Sequence, residues 1–310
     1  MEARELNDRL LELFPNTSRP IYMRAELELL AGNISSAEVY LKRFLAIFDT
    51  VSIAVGSGLK YEPHLDAARL LSWWAFFTGR DDLLDRAEDA ARLVLEDSVA
   101  WSRYHCAGLL HLGRILAIRG DAEASRRCYS DFSDHCAKSR LPRKIQELGL
   151  GMTASTAGMD REARDHFARS WDYRDEVGFN THIAVGFFYS SFLARQRNKE
   201  DTILAREIAE TALAESRRYK FVPWTDKLNT LMQEIDSHGA PRSYPDGLSE
   251  REVEVLRLVA EGLTDRQIGE KLFISPKTVG NHLTHIREKI ECRSRAEIAR
   301  YAAANKLIEE

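Results

Sequence analysis

The chain has 310 residues, with 44 Lys and Arg against 48 Asp and Glu and a formal net charge of −4 at pH 7. Its 44% hydrophobic and 30% charged residues exclude a disordered chain, and no apolar run is long enough for a membrane span. Four cysteines without a CxxC pair exclude a disulfide framework, so we expect a cytoplasmic protein. The length suits two domains.

Residues 1–236 are predicted to repeat one helical hairpin. Four apolar helices each end at a glycine, and a second helix begins shortly after it. These glycines are Gly32, Gly79, Gly120 and Gly158. Glycine adopts the left-handed conformation that ends a helix, and Arg197-Asn198 is predicted to make a fifth turn. The glycine spacings of 47, 41 and 38 residues resemble tetratricopeptide-like repeats, which stack their hairpins into a superhelix. We therefore predict a repeat domain that senses a signal or binds a partner.

Aromatic residues are concentrated in this predicted repeat domain. The segment from Trp73 to Phe77 presents aromatic rings on all sides of a helix. One interpretation is that these rings form the core between helices. The other is that some of them line a concave groove for a small-molecule, peptide or protein effector. The candidate groove residues are Trp73, Trp74, Phe77 and Tyr104.

Residues 237–247 contain two prolines, two glycines and no apolar periodicity. Because proline and glycine stop helices, this segment is predicted to be a linker. The predicted organisation is therefore a repeat domain at 1–236, the linker at 237–247 and a second domain at 248–310.

Four helices are predicted in the second domain, over residues 249–261, 264–272, 275–290 and 294–306. Three of them begin with a capping box, in which a hydroxyl and a carboxylate or amide each accept a free backbone N–H. The boxes pair Ser249 with Glu252, Thr264 with Gln267, and Ser294 with Glu297. The remaining start is Ser275 followed by Pro276, which suits the first helical position.

The second and third of these helices are separated by two residues, which is a helix-turn-helix arrangement. In that motif the second helix enters the major groove of DNA and the first helix braces it on the backbone. The apolar stripe of the third helix, which must face the core, is Val279, Leu283, Ile286 and Ile290. The opposite face is predicted to contact double-stranded DNA.

The candidate DNA contacts are assigned by chemistry. Asn281 suits an adenine edge, and Thr284 suits a base or a thymine methyl group. The candidates for phosphate contacts are Lys277, Thr278, Arg287 and Lys289. The other predicted DNA-binding residues are Gly280, His285, Thr264 and Arg266.

The run from Leu248 to Ile290, together with S294-R-A-E-I, resembles the C-terminal DNA-binding domain of LuxR/NarL-type regulators over about residues 246–308. The resemblance implies a four-helix module that binds operator half-sites as a homodimer. In such modules the fourth helix commonly supplies the dimer contact, which implies Ile298, Ala302, Asn305 and Lys306 here. Helical repeats before this module also resemble the C-terminal part of maltose-activator-type regulators, although this chain lacks their ATPase portion.

One position departs from that family. Where the usual pattern is T-V-K-x-H, this chain has Thr278-Val279-Gly280-Asn281-His282. Glycine inside a helix costs about 1 kcal/mol against alanine. One interpretation is that Gly280 lets the helix backbone approach the groove more closely. The other is that a DNA contact is simply lost and the repeat domain compensates by driving assembly.

No catalytic set, dinucleotide motif or zinc spacing is present, including around His105-Cys106, Cys128 and His135-Cys136. We therefore predict a protein that is not an enzyme and needs no cofactor or metal. The expected fold is all-α, a tetratricopeptide-like superhelix followed by a four-helix DNA-binding domain. The main hypothesis is a sequence-specific transcriptional regulator, and the alternative is an interaction scaffold with weak or auxiliary DNA binding.

Overall fold

The computed structural model describes most of the chain as helices and turns. The described residues are 2–50, 61–97, 102–138, 146–176, 178–239, 244–248, 250–272, 275–305 and 307. Over these ranges there are sixteen α-helices and no β-strand, so the prediction of an all-α fold is confirmed. None of the described helices is both long enough and apolar enough to cross a membrane. The chain divides into two compact units, residues 1–235 and 236–310, which are taken separately below.

The described residues of the first unit form twelve helices, the last of which runs past residue 235. They are α1 (Glu2–Leu13), α2 (Ser18–Leu30), α3 (Ile34–Phe48), α4 (Glu62–Thr78), α5 (Asp81–Glu96), α6 (Ser102–Arg119), α7 (Ala122–Lys138), α8 (Gln146–Thr156), α9 (Asp160–Asp172), α10 (Phe179–Arg195), α11 (Lys199–Arg218) and α12 (Val222–Gly239). Helices α2 to α11 pair into five consecutive hairpins, and their first helices, α2, α4, α6, α8 and α10, stack in one layer. This is the predicted repeat architecture.

The turns inside these hairpins have the predicted geometry. Gly32, Gly79, Gly120 and Gly158 all have positive φ angles, between 70° and 77°, which end one helix and start the next. The fifth turn lies at Arg197, which has a φ of 53°, and Asn198 caps the helix that follows it. Glycine thus lowers the cost of the left-handed conformation in four of the five hairpins.

The aromatic residues meet where helices from distant parts of the chain converge. Trp224 of α12 is fully buried, with its ring centroid 5.3 Å from that of Trp73 and 5.0 Å from that of Phe77, both on α4. Phe187 of α10 completes this side of the cluster, 5.7 Å from Trp224. The last helix of the unit therefore packs against α4 and α10, which belong to the layer of first helices.

This packing supports the core interpretation, and not the groove, for three of the four candidate groove residues. Trp73 and Trp74 are buried in the cores of the repeat unit, and Tyr104 is buried against Tyr61, Leu65 and Val94. A buried ring offers no surface to an effector, so these three residues stabilise the fold. Phe77 is partly exposed and lines a cavity of about 550 Å³.

The second unit contains α13 (Glu250–Ala260), α14 (Asp265–Leu272), α15 (Pro276–Lys289) and α16 (Arg295–Ala304). Each helix agrees with its predicted range to within two residues at either end. One core joins all four helices, and the stripe predicted for the third helix lies in it. Gly262 has a φ of 85° and ends α13, as its place in the sequence suggests.

The linker is shorter than the sequence predicts. Helix α12 continues to Gly239, so residues 237–239 are helical. At the other end, Tyr244 packs on the core of the second unit, and the Tyr301 hydroxyl donates to Asp246 Oδ2 at 2.7 Å. The predicted linker residues that remain between these ends, 240–243, lie outside the described part of the chain. Residues 244–247 thus belong structurally to the second unit.

Candidate nucleic-acid interface

Hydroxyl caps at Thr264, Ser275 and Ser294 fix where three helices around the predicted interface begin. Ser275 Oγ accepts the Thr278 N–H at 3.1 Å, and Thr264 Oγ1 accepts the Gln267 N–H at 3.4 Å. The Gln267 side chain accepts in return from the Thr264 N–H at 2.9 Å, which completes the predicted capping box. Ser249, the predicted cap of α13, lies outside the described residues.

The cap of α16 differs in one detail from the prediction. Ser294 Oγ accepts the Glu297 N–H at 3.3 Å, as a capping box requires. The Glu297 carboxylate also accepts the N–H of Arg293 at 2.7 Å, one residue before the cap. The hydrogen bond from the Arg293 N–H, followed by that from the Ser294 side chain, holds the pKa of Glu297 below its ordinary value.

Helix α15 divides into a core face and a solvent face. Val279, Leu283 and Ile286 are buried against the other three helices. Lys277, Asn281, Thr284, His285 and Glu288 are exposed on the other side. These polar side chains form a continuous surface on the side of α15 opposite its buried stripe.

The hydroxyl of Thr284 is already partly used. Its Oγ1 donates to the Gly280 carbonyl at 3.0 Å, one turn earlier in the same helix. The hydroxyl oxygen can still accept a hydrogen bond from a base, and the methyl group can still contact thymine. Thr278 is similarly engaged, with its Oγ1 2.8 Å from Ser275 Oγ at the cap.

Gly280 is not required by the fold of the unit. It has an ordinary helical backbone, and a Cβ built there would meet no neighbouring atom of the described chain within 4 Å. Neither a turn nor a close helix contact explains the glycine. The packing of the domain therefore leaves room for a side chain at position 280.

Two cations beside this face carry no ion pair among the described residues. Lys277 is exposed at the start of α15, and Arg287 is partly buried near its end. Arg266 of α14 pairs with Glu270 at 3.1 Å, but both side chains are largely exposed, so this pair is weak and easily exchanged for a phosphate. These three side chains remain available as phosphate contacts.

The structure corrects the prediction for Lys289. Its Nζ donates to the carboxylate of Glu252 at 2.7 Å and to the carbonyl of Gly247 at 2.9 Å. The Glu252 side chain is 6% exposed, so this pairing stabilises a buried charge. Lys289 thus ties α15 to α13 and to the segment before it, and we remove it from the candidate phosphate contacts.

Two arginines that hold the helix-turn-helix in place were not singled out from the sequence. Arg295 of α16 pairs with Asp265 and donates to the carbonyl of Leu263, at the start of α14. Arg251 of α13 donates to the carbonyl of Leu272 at 2.8 Å, at the end of α14. The Ser294-Arg295 pair, which follows α15, is a sequence signal that could identify the first of them. Both ends of α14 are therefore fixed by cations from other helices.

The predicted dimer contacts are also corrected. Ile298 and Ala302 have no exposed surface and lie in the core of the unit. A side chain in that position cannot touch a second copy of the chain. Asn305 is exposed, and Lys306 lies outside the described residues.

Comparison with known proteins decides the class of this unit. Residues 246–302 match the family described as bacterial regulatory proteins, luxR family. The C-terminal unit is a LuxR-family helix-turn-helix domain. The oxygen regulatory protein NreC of Staphylococcus carnosus is 47% identical to the chain over 62 residues, which cover 20% of this chain and 29% of that protein.

A second relative matches the LuxR-family domain in the same way. The transcriptional regulatory protein LiaR of Bacillus subtilis is 43% identical over 72 residues, which cover 23% of this chain and 34% of that protein. The chain thus spans about a third of the length of these relatives. No solved structure matches the chain.

Proposed function

We propose that the protein is a sequence-specific DNA-binding transcriptional regulator whose helix α15 enters the major groove of an operator. The observation that carries this proposal is the polar surface of α15, which lies opposite a buried apolar stripe and beside Lys277 and Arg287, two cations with no ion pair in the described part of the chain. Both relatives are named as regulatory proteins, which supports the same function.

In the proposed complex, Asn281 and Thr284 read base edges because they project from the exposed face of α15. Lys277 and Arg287 contact phosphates on either side, and Arg266 does so from α14. Thr264 at the start of α14 and His285 beside Thr284 complete this surface. Two such domains bind related half-sites as a dimer, through exposed residues of the domain and not through Ile298 or Ala302.

The repeat unit is proposed to regulate this binding. Phe77 lines a cavity of about 550 Å³ together with Phe187 of α10 and Asp226, Lys227 and Glu234 of α12. A cavity that combines apolar walls with a few charged groups suits a small organic effector. Because it lies where α12 meets α4 and α10, a ligand there would alter the packing of the last helix of the unit.

The test is a selection of binding sites from a random DNA pool with the full chain. We expect enrichment of a two-fold-related sequence, and affinity that falls steeply with salt. Asn281→Ala should relax base preference at one position by about 1–3 kcal/mol. Lys277→Ala should weaken binding to all sequences and reduce the log–log salt slope by about 0.9.

Lys42→Ala is the matched control, because Lys42 is an exposed lysine of α3 in the repeat unit. It removes the same charge without touching the proposed interface and should leave the selected sequence and the salt slope unchanged. Failure to enrich any sequence would contradict the proposal and favour the scaffold alternative, in which the repeat unit holds a partner protein.

A further inference from the structure

Two histidine–cysteine pairs meet across the hairpin of α6 and α7. His105 and Cys106 lie near the start of α6, and His135 and Cys136 lie near the end of α7. The two imidazole rings stack with centroids 5.0 Å apart. Beside them, both cysteines are buried in the same core, where the thiol of Cys136 acts on the ionisation of Cys106. The antiparallel hairpin thus brings two thiols into contact although the sequence contains no CxxC motif.

Cys106 has a second hydrogen-bond donor. The side-chain amide of Gln146, the first residue of α8, donates to Cys106 Sγ at 3.1 Å. Donors of this kind favour the thiolate over the thiol. The hydrogen bond from Cys136, followed by that from Gln146, lowers the pKa of Cys106 and outweighs the opposing effect of burial.

The other two cysteines have different surroundings. Cys128 of α7 is buried with only a long contact of 3.8 Å to the Leu109 carbonyl, and burial raises its pKa to about 12. Burial also raises the pKa of Cys292 in the LuxR-family domain. Cys292 is only partly buried, whereas a buried thiol such as Cys128 behaves as a small apolar side chain. They serve as internal controls for Cys106.

A metal site is not favoured at this position. In the described ranges, no three or more His, Cys, Asp or Glu side chains are arranged to hold a metal ion. Two thiols in contact, one with an activated sulfur, have another chemistry open to them. We propose that Cys106 and Cys136 form a redox-active dithiol that hydrogen peroxide oxidises to an intramolecular disulfide.

The reaction has two balanced steps. The Cys106 thiolate attacks one peroxide oxygen, the O–O bond breaks, and a sulfenic acid and hydroxide form. The Cys136 sulfur then attacks the Cys106 sulfur, the S–O bond breaks, and the oxygen leaves as hydroxide that takes up the thiol proton. In total, two thiols and one hydrogen peroxide give one disulfide and two waters, with two electrons passing from sulfur to oxygen.

Access to the buried thiols comes from their place in the helices. Cys106 and Cys136 are 5% and 4% exposed, but Cys106 is in the second turn of α6 and Cys136 is two residues before the end of α7. Helix ends open locally at much lower free energy than helix interiors. Peroxide is scarcely larger than water, so a small opening admits it. Cys128, in the interior of the same hairpin, lacks this route.

The inference goes beyond the proposed function, because it assigns a reaction to the repeat unit that does not depend on DNA binding. Its test is therefore made on the thiols themselves. The full chain is treated with hydrogen peroxide, free thiols are blocked with N-ethylmaleimide, and the tryptic peptides are analysed by mass spectrometry. Cleavage by trypsin yields peptide 104–114, which contains Cys106, and peptide 128–138, which contains both Cys128 and Cys136.

The expected result is a cross-linked pair of these two peptides that has lost two hydrogens and that dithiothreitol separates. The link should persist in Cys128→Ser and disappear in Cys136→Ser, where dimedone should instead trap a sulfenic acid on Cys106. Oxidation of Cys106 should be at least about tenfold faster than that of Cys128 or Cys292. Circular dichroism of each variant confirms that it is folded.

Two results would overturn the inference. One is that Cys106 stays unreacted in the wild-type chain under peroxide that fully oxidises glutathione. The other is a cross-link that survives Cys136→Ser but not Cys128→Ser, since the thiol in contact with Cys106 would then not be its partner.

Discussion

At the scale of single residues, substitution of Gly280 is expected to affect stability and DNA binding differently. It lies inside α15 with open space where a side chain would stand. Gly280→Ala should therefore raise the free energy of unfolding by about 0.5–1 kcal/mol, because alanine loses less backbone entropy. Urea unfolding of wild type and variant measures this difference.

The same substitutions decide between the two interpretations of Gly280 in DNA binding. If the glycine allows close approach of the backbone, which we expect, Gly280→Ala weakens binding to the selected site and Gly280→Lys weakens it further. Stronger binding by Gly280→Lys would instead show that the glycine only lost a contact. Titration of labelled operator DNA with each variant gives the affinities.

Lys289 is predicted to act on stability and not on DNA. Lys289→Ala removes a partner of a buried carboxylate, that of Glu252, and should lower the unfolding free energy by about 1–3 kcal/mol. Adding Glu252→Gln should recover part of the loss, because the buried charge that Lys289 pairs with is then gone. A fall in DNA affinity as large as that of Lys277→Ala, without loss of stability, would contradict this assignment.

At the scale of elements, the ion pair between Arg164 and Asp201 joins two consecutive hairpins. Arg164 of α9 donates two hydrogen bonds to Asp201 of α11, at 2.8 and 2.7 Å, and Asn198 donates a third to the same carboxylate at 2.5 Å. These donors, that of Arg164 first, lower the pKa of Asp201 from its ordinary value of 3.8. The ionised carboxylate thus favours the folded state.

The stability from Asp201 is present at pH values above 3.8 and is lost as the pH falls through the lower pKa of the folded protein. Asp201→Asn should therefore lower stability at pH 6 and reduce its dependence on pH below about 4. Urea unfolding between pH 3 and 6 measures both effects. Asp165→Asn, an exposed position on α9, is the control and should leave the pH dependence as in wild type.

Helix α12 is held by its tryptophan. Trp224 is fully buried among four aromatic rings, and its Nε1 donates to Asn180 Oδ1 at 2.6 Å. Trp224→Ala should cost about 3–5 kcal/mol of unfolding free energy. Trp224→Phe keeps most of the apolar contact and should cost less. A loss below about 1 kcal/mol for Trp224→Ala would mean that other contacts hold α12 in place.

At the scale of the whole molecule, the two units should act separately. The LuxR-family domain has its own core, so a chain of residues 236–310 should fold alone and enrich the same DNA sequence as the full protein. Circular dichroism checks folding, and parallel selections compare the sequences. Enrichment of a different sequence by the fragment would show that the repeat unit takes part in reading DNA.

Local signals predicted much of this molecule. The turn glycines, the capping hydroxyls and the apolar stripe of α15 each act within a few residues, so their patterns are visible in the chain. The contacts between Trp73 and Trp224, Lys289 and Glu252, and Arg295 and Asp265 join distant residues. Sequence periodicity does not predict which distant residues form such pairs. For the same reason the sequence leaves Trp73 open between a core and a groove, and the family resemblance alone implies dimer contacts at Ile298 and Ala302, although all three lie in cores.

The return of α12 to the start of the repeat unit has a consequence for folding. A Cβ on Gly32, in the first hairpin turn, would lie 2.9 Å from Cβ of Val222 at the start of α12, so the two ends of the unit touch. Arrays of repeats whose contacts are all between neighbours unravel stepwise from a free end. Contacts between sequence-distant ends raise the contact order, which slows folding. We therefore expect this unit to fold more slowly than an open array of the same length and to unfold in a single cooperative transition.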